Sequence, residues 1–402
     1  MILNQPALSS IPIGEDTPTP HFARLPSIDP DQVVKFVKRK CPVLGKDFIC
    51  SDDVELDELL EEQHNTPFKD TTMPFWRLII LFSPSTDSRY RFTAAFVFHH
   101  ALADGASGLI FHQEFLQALN SSPPILPETT IIKTPDSPLL PEMEKLIDLK
   151  LSLLFLAKAF WADRFSPRHR GLWTGSCIQE PSHRNFRSRS FTPEATGRFI
   201  AICRANKTTV QAALQVLIAS SLFKILPEQF TRLRCVVPVS LRRWCGQLAE
   251  GNQMTTCISS TEEMYVRKAG GEGRGCCWDE ARRSRDNVQE YLRRKGRDDG
   301  AGLFKYISDC LKFSSARIGK ERGSSFELSN LGRFGNGESQ LEALDEEKWD
   351  VGRVVFGQSA SVISAAILVT VVTGGDGGMT LGFAWQEGVV ENAVVETLMG
   401  SL

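Results

Sequence analysis

Residues Phe92–Asn120 read FTAAFVFHHALADGASGLIFHQEFLQALN, and the pattern changes character within that run. Arg91–Phe98 is rich in Phe, Val and Ala and free of Gly and Pro, which predicts a short strand buried on both faces. His99 and His100 end it. Asp104, Gly105 and Gly108 punctuate a tight turn. From Ser107 onward Leu109, Ile110, Phe115, Leu116 and Leu119 recur at helical spacing. Two imidazoles and a carboxylate therefore sit at a strand-to-helix corner, the place where open α/β sheets bind ligands.

The corner reads H-H-x-x-x-D-G over His99–Gly105. Neighbouring strand residues point to opposite faces, so one of the two histidines faces a given cleft. A neutral imidazole near its ordinary pKa of about 6.5 can take a proton from a hydroxyl. No G-x-S-x-G occurs in the chain and no Cys lies in this segment, so no protein nucleophile accompanies the base. That points to direct transfer onto a bound acceptor and away from a covalent acyl-enzyme. The competing readings are a His pair packed at a strand end and a metal held by His100 and Asp104. The metal reading lacks a third ligand at suitable spacing.

The rest of the composition narrows the class. With 402 residues, 42% of them hydrophobic and 23% charged, the chain can bury a large core, and two domains are expected. A net charge of −2 argues against nucleic acid as the main partner. Ten cysteines are scattered without a C-x-x-C or a secretory signal, which predicts free thiols, no bound metal and a cytoplasmic location. Leu151–Trp161 is too short to span a membrane and is broken by Lys158. Val362–Thr373 is β-branched and stops at Gly374-Gly375. Both read as core elements.

Taken in order, His21–Leu25 reads as a strand, and Asp29 or Asp31 caps a predicted helix over Gln32–Arg39. Asp53–Gln63 reads as an acidic, solvated helix. Phe75–Phe82, a turn at Pro84–Asp87 and Tyr90–Phe98 read as a hairpin that sets Arg77 beside the motif strand. Leu140–Phe165 reads as one long helix, and Ser166–Arg189 as a crossover. In the second half, Thr208–Leu226 reads as an amphipathic helix capped by Asn206 or Thr208, and Arg234–Val239 as a buried strand running into Ser240-Leu241-Arg242-Arg243. Trp278–Lys295 and Leu303–Ile318 read as helices. Ser325–Leu331 and Gly352–Gln358 read as strands, and Ser361–Thr373 with Met379–Gln386 as a hairpin across the glycine run at 374–378. Gly270–Gly275 is not a phosphate loop, because no strand precedes it and no G-K-[ST] follows.

H-H-x-x-x-D-G resembles the signature of acyltransferases similar to chloramphenicol acetyltransferase: plant BAHD enzymes, peptide-synthetase condensation domains and fungal alcohol acetyltransferases. Pro74-Phe75-Trp76-Arg77-Leu78, Ser329-Asn330-Leu331-Gly332 and Phe356-Gly357-Gln358-Ser359 resemble the fungal alcohol-acetyltransferase branch. The D-F-G-W-G motif of the plant enzymes is absent. The resemblance implies an α/β fold of two domains, each a mixed sheet flanked by helices, with an active-site channel between them. The halves are expected at 1–165 and 191–402, joined by a crossover at 166–190. The Asn4-Gln5-Pro6-Ala7-Leu8 phrase resembles one that in this family follows an earlier strand and helix, so both are expected to be missing ahead of it.

By the same resemblance, an acyl-coenzyme A, most simply acetyl-CoA, enters one end of the channel and a small-molecule alcohol the other. His100 is the expected base, and the expected protein is a monomer. Asn330 and Gln358 suit an oxyanion donor by chemistry and suit strand-edge hydrogen bonding equally well. Asp104 is expected to hold the loop through an arginine, with Arg77 the first choice from the hairpin geometry and Arg24 the rival. Gly105 supplies the φ angle or the close approach that the corner needs. Two other functions stay open: a condensation-like N-acyl transfer from a carrier-bound thioester, and a non-catalytic relative that only binds a ligand or partner.

Overall fold

Alternating burial sorts the chain into two principal sheets. The computed structural model describes residues 1–40, 53–83, 91–121, 131–165, 170–246, 252–268, 277–335 and 348–402. Along the first half, β1 (Ser10–Ile13), β2 (His21–Arg24) and β3 (Ser27–Ile28) lead into β4 (Val34–Lys38), β5 (Trp76–Phe82) and β6 (Phe92–Phe98), and β7 (Ile132–Lys133) pairs back on β3. β4, β5 and β6 form a three-stranded sheet in that order, with β4 parallel and β6 antiparallel to β5. The second half contributes β8 (Arg184–Ser190), β9 (Arg232–Ser240), β10 (Ile258–Val266), β11 (Phe326–Arg333), β12 (Ile367–Thr373) and β13 (Met379–Gln386). These make one six-stranded mixed sheet, ordered β10-β9-β11-β12-β13-β8. The β12–β13 hairpin closes across Gly374–Gly378 as its sequence requires, with the Gly374 amide donating to the Gly378 carbonyl at 2.8 Å.

The larger core lies under the six-stranded sheet, where Phe326, Leu328, Val369 and Phe383 pack on the Val210–Ile225 helix. That helix is buried on most of its circumference rather than amphipathic, and its cap is Thr209, whose side chain accepts from the Ala212 amide. The smaller core joins β5 and β6 to the very start of the chain. Ala7 and Leu8 are buried there, and the Trp76 indole donates to the Leu8 carbonyl.

Several sequence expectations are corrected. The helix over Gln32–Arg39 is a single turn, Pro30–Val33, followed by β4. Val34–Lys38, with β-branched Val34 and Val37, pairs along the free edge of β5 instead. The long helix over 140–165 is two helices, Met143–Leu146 and Leu153–Phe165. Between them Ile147 and Leu149 are both buried against Leu241, Cys245 and Cys257, an alternation that only extended chain can give. The acidic helix, Val54–His64, is not simply solvated: Asp57 accepts from the Ser188 amide and hydroxyl, and Glu61 from the Phe186 amide. It docks on β8, which occupies the C-terminal part of the stretch read as a crossover. Leu303–Ile318 divides into a 3-10 helix at Gly300–Tyr306 and a short helix at Cys310–Ser315. Gly352–Gln358 is irregular rather than a strand. The Pro84–Asp87 turn and Gly270–Gly275 lie outside the described residues. Among the described residues the cysteines are free, and no single helix is long and apolar enough to cross a membrane.

Candidate active site

β6 delivers the motif. It ends at Phe98, and His99 remains tied to the neighbouring strand end through its amide, which donates to the Phe75 carbonyl at 2.9 Å. The chain then turns through Leu102 and Ala103, both buried, and enters the Gly105–Ser121 helix at Asp104. Asp104 caps that helix: its Oδ1 accepts from the Ser107 amide at 3.0 Å and the Ser107 hydroxyl at 2.9 Å.

The arginine that meets Asp104 is Arg242, from the other half of the molecule. Its Nη2 lies 2.9 Å from Asp104 Oδ1, and it also donates to Ser107 Oγ and the Thr255 carbonyl. Asp104 Oδ2 accepts from the Cys257 amide at 3.1 Å. The carboxylate is thus buried with donors from three segments. It forms a clamp between the corner and the 252–258 chain that leads into β10. This corrects the expectation of Arg77. In the β5–β6 register Arg77 lies opposite Val97, short of the corner. Its guanidinium stacks over Phe68 at 4.1 Å and donates to Gln63 Oε1 and to the carbonyls of Thr66 and Pro67. Arg24 is excluded too, since it pairs with Asp136. The signal for Arg242 was the phrase Ser240-Leu241-Arg242-Arg243 after a core strand, but no local rule joins it to a residue 138 positions away.

Gly105 serves close approach, not an unusual φ. A Cβ there would meet Leu331 Cδ2 at 2.8 Å and Phe356 Cζ at 2.9 Å. Both belong to phrases in the second half, so the motif glycine lets the two halves touch at the corner.

The two histidines part company as strand neighbours must. His99 packs edge-on against Phe68 and Phe75, with Nε2 3.4 Å from the Glu15 carboxylate. Burial pulls its pKa below the ordinary value, and Glu15 opposes that pull. Both histidines border a large cavity of about 3470 Å³, but His100 is the exposed one of the two, and its carbonyl accepts from Thr256 Oγ1. The cavity is lined by residues of both principal sheets and exceeds the several hundred Å³ of an ordinary ligand site, enough for a two-part substrate. One stretch of wall is aromatic, with Phe92, Phe96, Phe98, Phe115 and Trp349. The lining also includes small and polar residues, Ser260, Ser329, Ser361 and Ser364, and the buried Glu327.

Gln358 borders the cavity. Asn330 is not among the lining residues, because strand alternation turns it to the opposite face from Ser329; its Oδ1 accepts from the Gly332 amide at 2.8 Å. Sequence reading passed over Ser329 and Glu327, which take the channel side of the same strand. Among the described residues no group of three or more His, Cys, Asp or Glu is placed to hold a metal ion.

A family model described as alcohol acetyltransferase matches residues 46–260 and 283–400. The chain belongs to the alcohol acetyltransferase family. It is an acyltransferase with an alcohol as acceptor. It is 35% identical to the probable alcohol acetyltransferase crmB of Aspergillus fumigatus, over 96% of this chain and 83% of that one. It is 26% identical to the probable alcohol acetyltransferase FCK4 of Fusarium pseudograminearum, over 100% and 83%. Among solved structures it resembles the TRI3 trichothecene 15-O-acetyltransferase of Fusarium sporotrichioides, with TM-score 0.65, 12% identity and coverage of 99% and 82%. It also resembles the first condensation domain of the calcium-dependent antibiotic synthetase, with TM-score 0.59, 13% identity and coverage of 99% and 83%. The alcohol acetyltransferase fold here is therefore the two-sheet, chloramphenicol acetyltransferase-like one.

Proposed function

We propose that this alcohol acetyltransferase moves an acetyl group from acetyl-CoA to a small-molecule alcohol, with His100 as general base. The observation that carries the reading is the division of labour at the corner. The Asp104 carboxylate is consumed by Arg242, Ser107 and the Cys257 amide, while the His100 ring borders the cavity. His100 removes the hydroxyl proton as the alcohol oxygen attacks the thioester carbonyl. The tetrahedral intermediate collapses, the C–S bond breaks, and the proton passes from the imidazolium to the departing CoA thiolate. The oxyanion of that intermediate requires a hydrogen-bond donor. Gln358, on the cavity wall, suits the task better than Asn330, which does not border the cavity. A donor of this kind contributes about 3–4 kcal/mol in the transition state.

The test is incubation of purified protein with acetyl-CoA and a panel of alcohols, following free thiol and ester product together. Thiol release matched by ester supports transfer. Thiol release without ester in any arm contradicts it, as does the absence of both.

A further inference from the structure

Among the described residues five carboxylates are buried: Asp57, Asp104, Glu263, Asp299 and Glu327. Burying a carboxylate costs several kcal/mol unless donors replace the lost water. Four of the five have them. Asp57 is held by the amide and hydroxyl of Ser188. Asp104 has Arg242, Ser107 and the Cys257 amide. Glu263 has Arg283 and Asn287, both on Oε2, while its Oε1 has no partner among the described residues. Asp299 has Ser259, Tyr291 and the Ala301 amide.

Glu327 is the exception. Its one hydrogen-bond partner among the described residues is Ser364 Oγ, at 3.2 Å, and no lysine or arginine there reaches it. On β11 it stands between Val236 of β9 and Leu368 of β12, so its flanks across the sheet are apolar. Unlike Asp104, it borders the cavity, which His100 borders too. Burial raises its pKa, and the Ser364 hydrogen bond and the charge of His100 oppose the rise. A carboxylate of this kind costs stability in the empty protein, and the natural compensation is a donor brought by a ligand.

We infer that Glu327 is an acceptor-recognition residue, which binds an N–H or O–H donor carried by the alcohol in addition to the hydroxyl that is acylated. The favoured acceptors are then amino alcohols or diols rather than simple alkanols. This rests on the transfer reading above and adds a substrate class to it.

The experiment compares wild type with Glu327→Gln on α,ω-amino alcohols, α,ω-diols and n-alkanols of two to eight carbons, with acetyl-CoA as donor. Wild type should prefer one donor-bearing series over its matched alkanol by about tenfold or more in kcat/KM, mostly through KM. The amino-alcohol and diol arms tell an ammonium from a hydroxyl. Glu327→Gln should erase the preference for the amino series and shrink that for the diols relative to the alkanols, with a melting temperature at or above wild type. Equal use of all three series by wild type would overturn the inference, as would a preference untouched by the substitution. Should no alcohol be acetylated at all, the transfer reading fails by itself. The inference is then judged by thermal stabilisation with the same compounds, expected for wild type and absent for Glu327→Gln. No stabilisation of wild type would overturn it.

Discussion

At the corner, the Asp104 carboxylate accepts from Arg242, Ser107 and the Cys257 amide; on β11, the Glu327 carboxylate has Ser364. Both are buried, and both are near His100 in space or in sequence. One is saturated with donors drawn from distant segments, and it joins the halves. The other is left open on the channel wall. A weaker form of the contrast separates the two histidines, which both border the cavity: His99 is half-buried against Phe68, Phe75 and Glu15, while His100 is exposed. A polar group whose hydrogen-bonding capacity is already used holds the scaffold, and one whose capacity is free is available to a substrate.

The comparison breaks first at His100. His100→Ala should reduce acetyl transfer by ~10²–10⁴ with the melting temperature unchanged, the usual worth of a positioned base. His99→Ala should cost less turnover and more stability. Equal losses of rate at both positions, read by steady-state kinetics, would erase the distinction between them.

At the saturated carboxylate the loss should be stability. Asp104→Ala or Arg242→Ala leaves its partner buried and unpaired, at a cost of ~3–5 kcal/mol measured by urea denaturation. Gly105→Val should cost ~1–3 kcal/mol by the same measurement, because the added atoms would run into Leu331 and Phe356 where the halves meet. Arg77→Ala should cost about 1 kcal/mol, the loss of a few half-exposed hydrogen bonds, and should be additive with Asp104→Ala.

A further expected effect concerns pH. Burial holds both His64 and His112 at a pKa of about 4, against 6.5 for the free group. Between those values the unfolded chain binds more protons than the folded one, so stability is complete above about pH 6.5 and declines as the pH falls toward 4. His112 sits among Phe96 and Phe111. His112→Phe should flatten this slope, and an unchanged slope across pH 4–6.5 would mean that its ring is not held neutral.

Much of the corner was legible in the sequence, because local rules govern it. A short apolar run without Gly or Pro pointed to β6, though the strand is only partly buried because it borders the cavity; Asp104 and Gly105 marked the turn, and the Leu109–Leu119 spacing pointed to the helix. The family phrases pointed to the fold. What was illegible depends on which distant segments meet. Arg77 was chosen from a hairpin whose pairing is right, but strand register stops it opposite Val97 and its side chain stacks on Phe68. Arg242 reaches Asp104 only through the packing of β9 and the 252–258 chain against the corner. Asn330 and Ser329 are adjacent in sequence, and strand parity alone decides that Ser329 borders the cavity. Val34–Lys38 reads as helix because Asp29 and Asp31 offer a cap just before it, but the capped helix is one turn long and the edge of β5 takes the rest as a strand.

The central claim is that Asp104 acts through Arg242 as a clamp while the chemistry belongs to His100. A double-mutant cycle between Asp104→Ala and Arg242→Ala, read in unfolding free energy and in acetyl-transfer rate, tests it most directly. The account predicts strong coupling, with the double mutant costing much less than the sum of the singles, and rate losses that follow the loss of folded structure. Additive stability losses, or an Asp104→Ala protein of wild-type stability that has lost only turnover, would contradict it and place Asp104 in the chemistry.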